Sequence, residues 1–141
     1  MKRTPKEVDS EQLVEQVING IREKKGKEIV TLDLRKIKNA VSDFFVICSG
    51  DSNTHVDAIG RSVEEVVRVN LRDKPWHVEG TGRAEWVLLD YVNVVVHVFQ
   101  REPREYYNIE GLWADAIRTE YDEVGGPVIV KKKNVRKRKE T

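Results

Sequence analysis

The stretch WVLLDYVNVVVHVFQREPREYYNIEGLW, residues 86–113, decides the fold. Two short apolar segments, Trp86–Tyr91 and Val94–Phe99, flank Val92-Asn93, and each is β-branched-rich with one polar interruption, Asp90 or His97. A two-residue connection makes them a hairpin in which 91 faces 94, 90 faces 95, 88 faces 97 and 86 faces 99. Strand alternation then gathers Val87, Leu89, Tyr91, Val94, Val96 and Val98 on one face. That face reads as core. The other carries Trp86, Leu88, Asp90, Val95, His97 and Phe99, a mixture of aromatic area, carboxylate and imidazole that points to a specific contact.

Working outward, the periodicity predicts a first helix over Ser10–Lys25, capped by Asp9 or Ser10, with Leu13, Val14, Val17, Ile18 and Ile21 on one side and Gly26 ending it. Ile29–Leu34 reads as a strand. The continuously apolar Asp43–Gly50 reads as a central strand covered on both faces. Val56, Ile59, Val63, Val66, Val67 and Leu71 define a second helix running from Asp51 or Ser52 to near Lys74-Pro75. A short strand at Trp76–Val78 precedes the hairpin. Pro103–Tyr107 reads as a short helix, and Ile109–Ile117 as a further turn or helix. The order predicts one α/β (α+β) domain, a mixed β-sheet flanked by helices. Its expected bounds are a flexible 1–9, a domain over 10–120, and a basic C-terminal tail over 121–141, set off by Gly125-Gly126-Pro127.

A chain of 141 residues can bury one core, and 39% hydrophobic content argues against wholesale disorder. With 35% charged residues and no apolar run near the roughly 20 residues of a membrane span, no membrane protein is expected. No secretory signal is visible, and the single Cys48 fits a reducing, cytoplasmic setting. The net charge of +1 conceals an asymmetry: residues 131–141 carry +6, leaving −5 for residues 1–130. An acidic body favours a basic protein partner. The tail, with Lys131, Lys132, Lys133, Arg136, Lys137 and Arg138, reads equally as a solubilising end or as a contact for nucleic-acid phosphates.

The sequence offers no catalytic set. Gly50-Asp51-Ser52 lies between strand and helix, where N–H groups can hold an anion, but it lacks P-loop and Rossmann spacing. A capped strand–helix turn is the simpler reading. Magnesium-dependent nucleotidyl transfer needs two or three converging carboxylates, and the strand after the loop offers only Asp90. His55, His77 and His97 lack metal-ligand spacing, so no metal or other cofactor is expected. Asp90 and His97 lie diagonally on one hairpin face, within hydrogen-bonding reach, and read as a satisfied polar pair. Cys48 reads as a small buried hydrophobe, Trp113 as core and Trp86 as the best surface candidate, while Tyr107 fits either reading.

SDFFVICSGDSNTHVDAI, then HVEG, then the quoted stretch resemble the ribosomal silencing factor (Iojap-like) family over roughly residues 10–117. The family pattern falls on Trp86, Asp90-Tyr91, Val95-Val96-His97, Arg104, Tyr107 and Ile109–Trp113. Val92-Asn93 stands where a Gly-Asp turn is usual, and Ile109 replaces a common Leu. The resemblance implies a nucleotidyltransferase-like fold without the catalytic carboxylates. It also implies a non-enzymatic translational repressor that binds ribosomal protein uL14 on the large subunit and blocks subunit joining, with a further role in subunit assembly. The free protein is then expected to form a homodimer. On this reading Trp86 is an anchor, Asp90 and His97 give polar contacts nearby, Tyr107 adds aromatic area, and Glu110 meets a basic residue or makes a contact within its own helix. The competing classes are a divergent nucleotidyl or phosphoryl transferase, which would bind nucleotide with magnesium, and an RNA-binding module.

Overall fold

The computed structural model describes residues 8–124 and the backbone of 130–133. The elements run α1 (Ser10–Glu23), β1 (Lys27–Asp33), β2 (Phe44–Gly50), α2 (Asn53–Leu71), β3 (His77–Glu79), β4 (Trp86–Asp90), β5 (Val94–Gln100), α3 (Arg101–Tyr107), α4 (Ile109–Leu112), β6 (Ile117–Tyr121) and β7 (Val130–Lys133). They build one mixed sheet in the order β3-β4-β5-β2-β1-β6-β7, with β2 and β5 parallel and every other neighbouring pair antiparallel. This is the expected α/β domain. The apolar run of β2 is buried at all seven positions because the strand is central and covered on both faces.

Helices α1 and α2 lie together over one face. Asp9 caps α1, its carboxylate accepting from the N–H groups of Glu11 and Gln12, both at 3.1 Å. Leu13, Val17, Ile18 and Ile21 of α1 meet Val56, Ile59, Val63 and Val67 of α2 and the aliphatic hairpin face. The helices touch closely at Gly20, where an added Cβ would sit 2.7 Å from Val63 Cα. Gly26 does not supply the left-handed turn after α1. Lys25 takes that conformation with φ 59°, and Gly26 is needed because a Cβ there would strike Ile21.

The hairpin has the expected register, with Trp86 opposite Phe99, Leu88 opposite His97 and Asp90 opposite Val95. Its aliphatic face joins the helix-covered core, and its other face joins a second cluster with Phe45, Ile47 and Ile109. Val92 turns the chain with φ 79°.

Two features differ from expectation. Helix α2 stops at Leu71, where Arg72 adopts a left-handed conformation, short of Lys74-Pro75. The segment ending at Ile117 is not one helix. The single turn α4 stops at Leu112, and Ile117 begins β6, which pairs with β1 from Ile29–Tyr121 to Asp33–Ile117. The free edge of β1 supplies ladder partners that a short, half-exposed helix cannot match. Strand β7 then pairs with β6, so the backbone of Lys131, Lys132 and Lys133 runs along the sheet edge. Arg136, Lys137 and Arg138 lie outside the described residues. No helix among the described residues is long and apolar enough to cross a membrane.

Candidate functional site

Helix α3 leaves β5 without a loop, and its direction is fixed by one buried cation. Pro103 sits in the first turn, where no N–H partner is required. Arg104 then turns inward and donates to Ser49 Oγ (2.7 Å), to the Glu28 carbonyl (2.9 Å) and through Nε and a terminal nitrogen to both oxygens of Glu110 (3.1 and 2.9 Å). Arg118 adds a 3.0 Å ion pair to the same carboxylate. Burial pushes the Glu110 carboxyl up, but the hydrogen bonds and charges of Arg104 and Arg118 outweigh it, leaving a net lowering. Glu110 is thus occupied inside the chain, and this network bolts α3 and α4 to the sheet.

With Arg104 inside, the opposite side of α3 faces out. Tyr106 is 79% exposed, Tyr107 49%, and Leu112 of α4 75%. Trp86 is half-buried beside Tyr107, its ring 4.8 Å from both Phe99 and Tyr107. Trp113 packs inward, edge-on to Phe45 at 5.8 Å. An open cleft of about 650 Å³ borders the patch at the C-terminal ends of the parallel strands β2 and β5, and Asp51, Glu85, Glu102, Arg101, Tyr106 and Tyr107 are among the residues lining it. Three carboxylates against one guanidinium make these charged side chains net acidic.

Asp90 and His97 are not hydrogen-bonded to each other. Asp90 accepts from the Val92 N–H at 2.8 Å and so closes its own turn. His97, 4% exposed, accepts at Nδ1 from Trp86 Nε1–H at 3.1 Å. Burial pulls its pKa down to about 4, so the ring is neutral near pH 7. His97 has two diagonal neighbours on β4, Trp86 and Asp90, and the indole takes it.

The Gly50-Asp51-Ser52 segment is a capped connection. Ser52 Oγ accepts from the His55 N–H (3.1 Å), and His55 Nδ1 accepts from the Asp51 N–H (2.8 Å) while its Nε2 bonds the Lys24 carbonyl (2.7 Å). Cys48 is fully buried, and burial pushes its thiol up to about 12. Among the described residues no three His, Cys, Asp or Glu side chains gather as a metal site.

These elements carry every position of the motif read from the sequence, and residues 7–141 match the family described as "Ribosomal silencing factor during starvation". The chain belongs to this family. It is 35% identical over 120 residues to ribosomal silencing factor RsfS of Halalkalibacterium halodurans, covering 83% of this chain and 98% of that one. A crystal structure from Chromobacterium violaceum superposes with a TM-score of 0.71 at 31% identity, covering 85% of this chain and 91% of that one. The mouse protein named mitochondrial assembly of ribosomal large subunit protein 1 is 26% identical over 102 residues, 71% of this chain and 44% of its own length. Within the family motif, Arg104 and Glu110 fall on the internal network, and Trp86, His97 and Tyr107 on the aromatic patch. Sequence reasoning left Tyr106 open between core and surface and did not single out Leu112; both are exposed. No sequence signal gave them, since the inward turn of Arg104, which leaves Tyr106 on the outer side of α3, is set by partners distant in the chain.

Proposed function

We propose that this protein is a non-enzymatic translational repressor that binds ribosomal protein uL14 on the large subunit and blocks subunit joining, acting also in large-subunit assembly. The observation that carries the reading is the exposed pair Tyr106 and Tyr107, the second packed on a half-buried Trp86, beside a cleft bearing Asp51, Glu85 and Glu102, with Leu112 of α4 exposed as well. Aromatic side chains exposed on a short, fixed helix are interface anchors of small entropic cost. The carboxylates around them suit a basic ribosomal-protein surface. Family membership and the relatives' names support a ribosomal role. In this reading Asp90 and Glu110 serve the chain's own architecture, because both carboxylates are already occupied.

Co-sedimentation with isolated large subunits tests this. Leu112→Asp and Tyr106→Ala, both at exposed positions, are expected to fold like wild type and to weaken binding at least tenfold. Unchanged binding by both would remove the patch from the interface. The basic tail is assigned a supporting contact to ribosomal RNA, so removing residues 134–141 is expected to lessen the salt dependence of binding without abolishing it.

A further inference from the structure

We propose that His97 is a positioning residue for Trp86, acting through the indole and never touching the partner. This rests on the docking reading above. The geometry begins with the 3.1 Å bond from Trp86 Nε1–H to His97 Nδ1. An indole nitrogen only donates, so Nδ1 must be the unprotonated nitrogen and the ring proton sits on Nε2. That Nε2 is buried and has no hydrogen-bond partner. The imidazole ring itself packs against the rings of Phe45, edge-on with centroids 4.7 Å apart, and Phe99, parallel at 6.2 Å. No charged group contributes to its lowered pKa, which desolvation alone explains.

Such a place suits a phenylalanine. A buried orphan N–H is unfavourable, and a hydrocarbon ring of similar shape would remove that penalty. Stability therefore does not account for the imidazole. What His97 has and phenylalanine lacks is one acceptor, and it is aimed at Trp86. The other ring contacts of Trp86, with Phe99 and Tyr107, are apolar and leave its N–H without an acceptor. The His97 bond turns the indole's only polar atom into the sheet, so the side chain offers hydrocarbon outward in one orientation. A partner then has neither an indole N–H to desolvate nor a swinging ring to immobilise. His97 acts by preorganisation.

The test is a double-mutant cycle on large-subunit binding, using wild type, His97→Phe, Trp86→Phe and the double variant, with urea unfolding of each. His97→Phe is expected to unfold at the same or higher urea concentration and to bind about 3- to 10-fold more weakly, the scale of ordering one large side chain. In the Trp86→Phe background the same change is expected to have no further effect. His97→Asn, whose amide oxygen replaces the Nδ1 acceptor, is expected to restore part of the loss. The Trp86 indole N–H resonance gives a readout independent of the ribosome, protected from exchange in wild type and exposed in His97→Phe. Wild-type binding by His97→Phe, an equal loss in both backgrounds, or an unprotected wild-type indole would overturn the proposal. Failure of the docking surface itself is read separately, by unchanged binding of Leu112→Asp and Tyr106→Ala.

Discussion

The two faces of the sheet are made by the same strands yet obey different rules. Under α1 and α2, the hairpin contributes Val87, Leu89, Val94, Val96 and Val98, and every one is buried against aliphatic side chains. On the other face the alternate positions bring Trp86, His97 and Phe99 beside a bonded arginine and an orphan nitrogen. Period-two alternation delivers both sets at once. Apart from the Tyr91 hydroxyl, what the hairpin sends to the helix-covered face is hydrocarbon, which is what packing needs. The other retains groups that packing alone would replace, and that excess marks the face with a second task.

The largest effect expected is on the exception to this division, the Arg104 network, which is polar yet structural. Removing one partner of a buried ion pair typically costs about 3–5 kcal/mol. Arg104→Ala is therefore expected to lose about that much by urea unfolding, since Ser49 and the Glu28 carbonyl lose a donor with it. A loss under 1 kcal/mol would mean that α3 and α4 are held by their ring contacts, erasing the exception.

Next comes the pH response of the functional face. His97 titrates near 6.5 when unfolded and near 4 when folded. Between those values the unfolded chain takes up the proton first, so stability is full above pH 6.5 and declines as the pH falls toward 4. The total loss from this group is on the order of 3 kcal/mol. His97→Phe is expected to flatten that slope, leaving the carboxylate-driven loss at lower pH. Parallel curves for the two proteins would contradict the neutral, buried imidazole.

The helix-covered face is probed by Gly20→Ala. The new Cβ meets Val63 backbone at 2.7 Å, which no rotamer change relieves. Overpacking of this kind costs about 1–3 kcal/mol, read as a lower denaturant midpoint with ribosome binding intact. Loss of binding in the folded variant would show that the two faces are coupled, weakening the contrast between them.

The hairpin register was legible because two alternating segments and a two-residue connection leave one pairing that buries an aliphatic face. The central strand was legible from its unbroken apolar run. Strand β6 was not: Ile117–Tyr121 buries only Thr119 fully, so neither its period nor its composition announces a strand, and its existence depends on the open edge of β1. The Arg104 network was equally hidden, joining residues 76, 55 and 6 positions apart. Of the site, the aromatic residues could be listed from the sequence, but which were free depended on where Arg104 pointed. The expected Asp90–His97 pair failed because each group had a partner at hand, the Val92 N–H for one and the Trp86 indole for the other.

The smallest effect lies where the two faces meet, at the hairpin turn. Val92 holds φ 79°, a conformation in which a β-branched side chain crowds its own backbone. It is fixed there from both sides: its N–H donates to Asp90 Oδ1 at 2.8 Å, and its carbonyl accepts from Ser42 Oγ at 3.0 Å. The side chain is 44% exposed, so little packing offsets the strain. Val92→Gly removes the Cβ and keeps both hydrogen bonds, against a larger loss of backbone entropy on folding. The balance is expected to favour glycine by about 0.5–1 kcal/mol, read as a thermal midpoint a few degrees higher. Glycine is also the residue usual here in the family pattern that the sequence resembles. The register on both faces should be unchanged, because it is set by the cross-strand pairs from Trp86–Phe99 to Asp90–Val95. If Val92→Gly instead destabilises the protein, the turn rather than the pairing fixes the register, and both faces owe their composition to two residues.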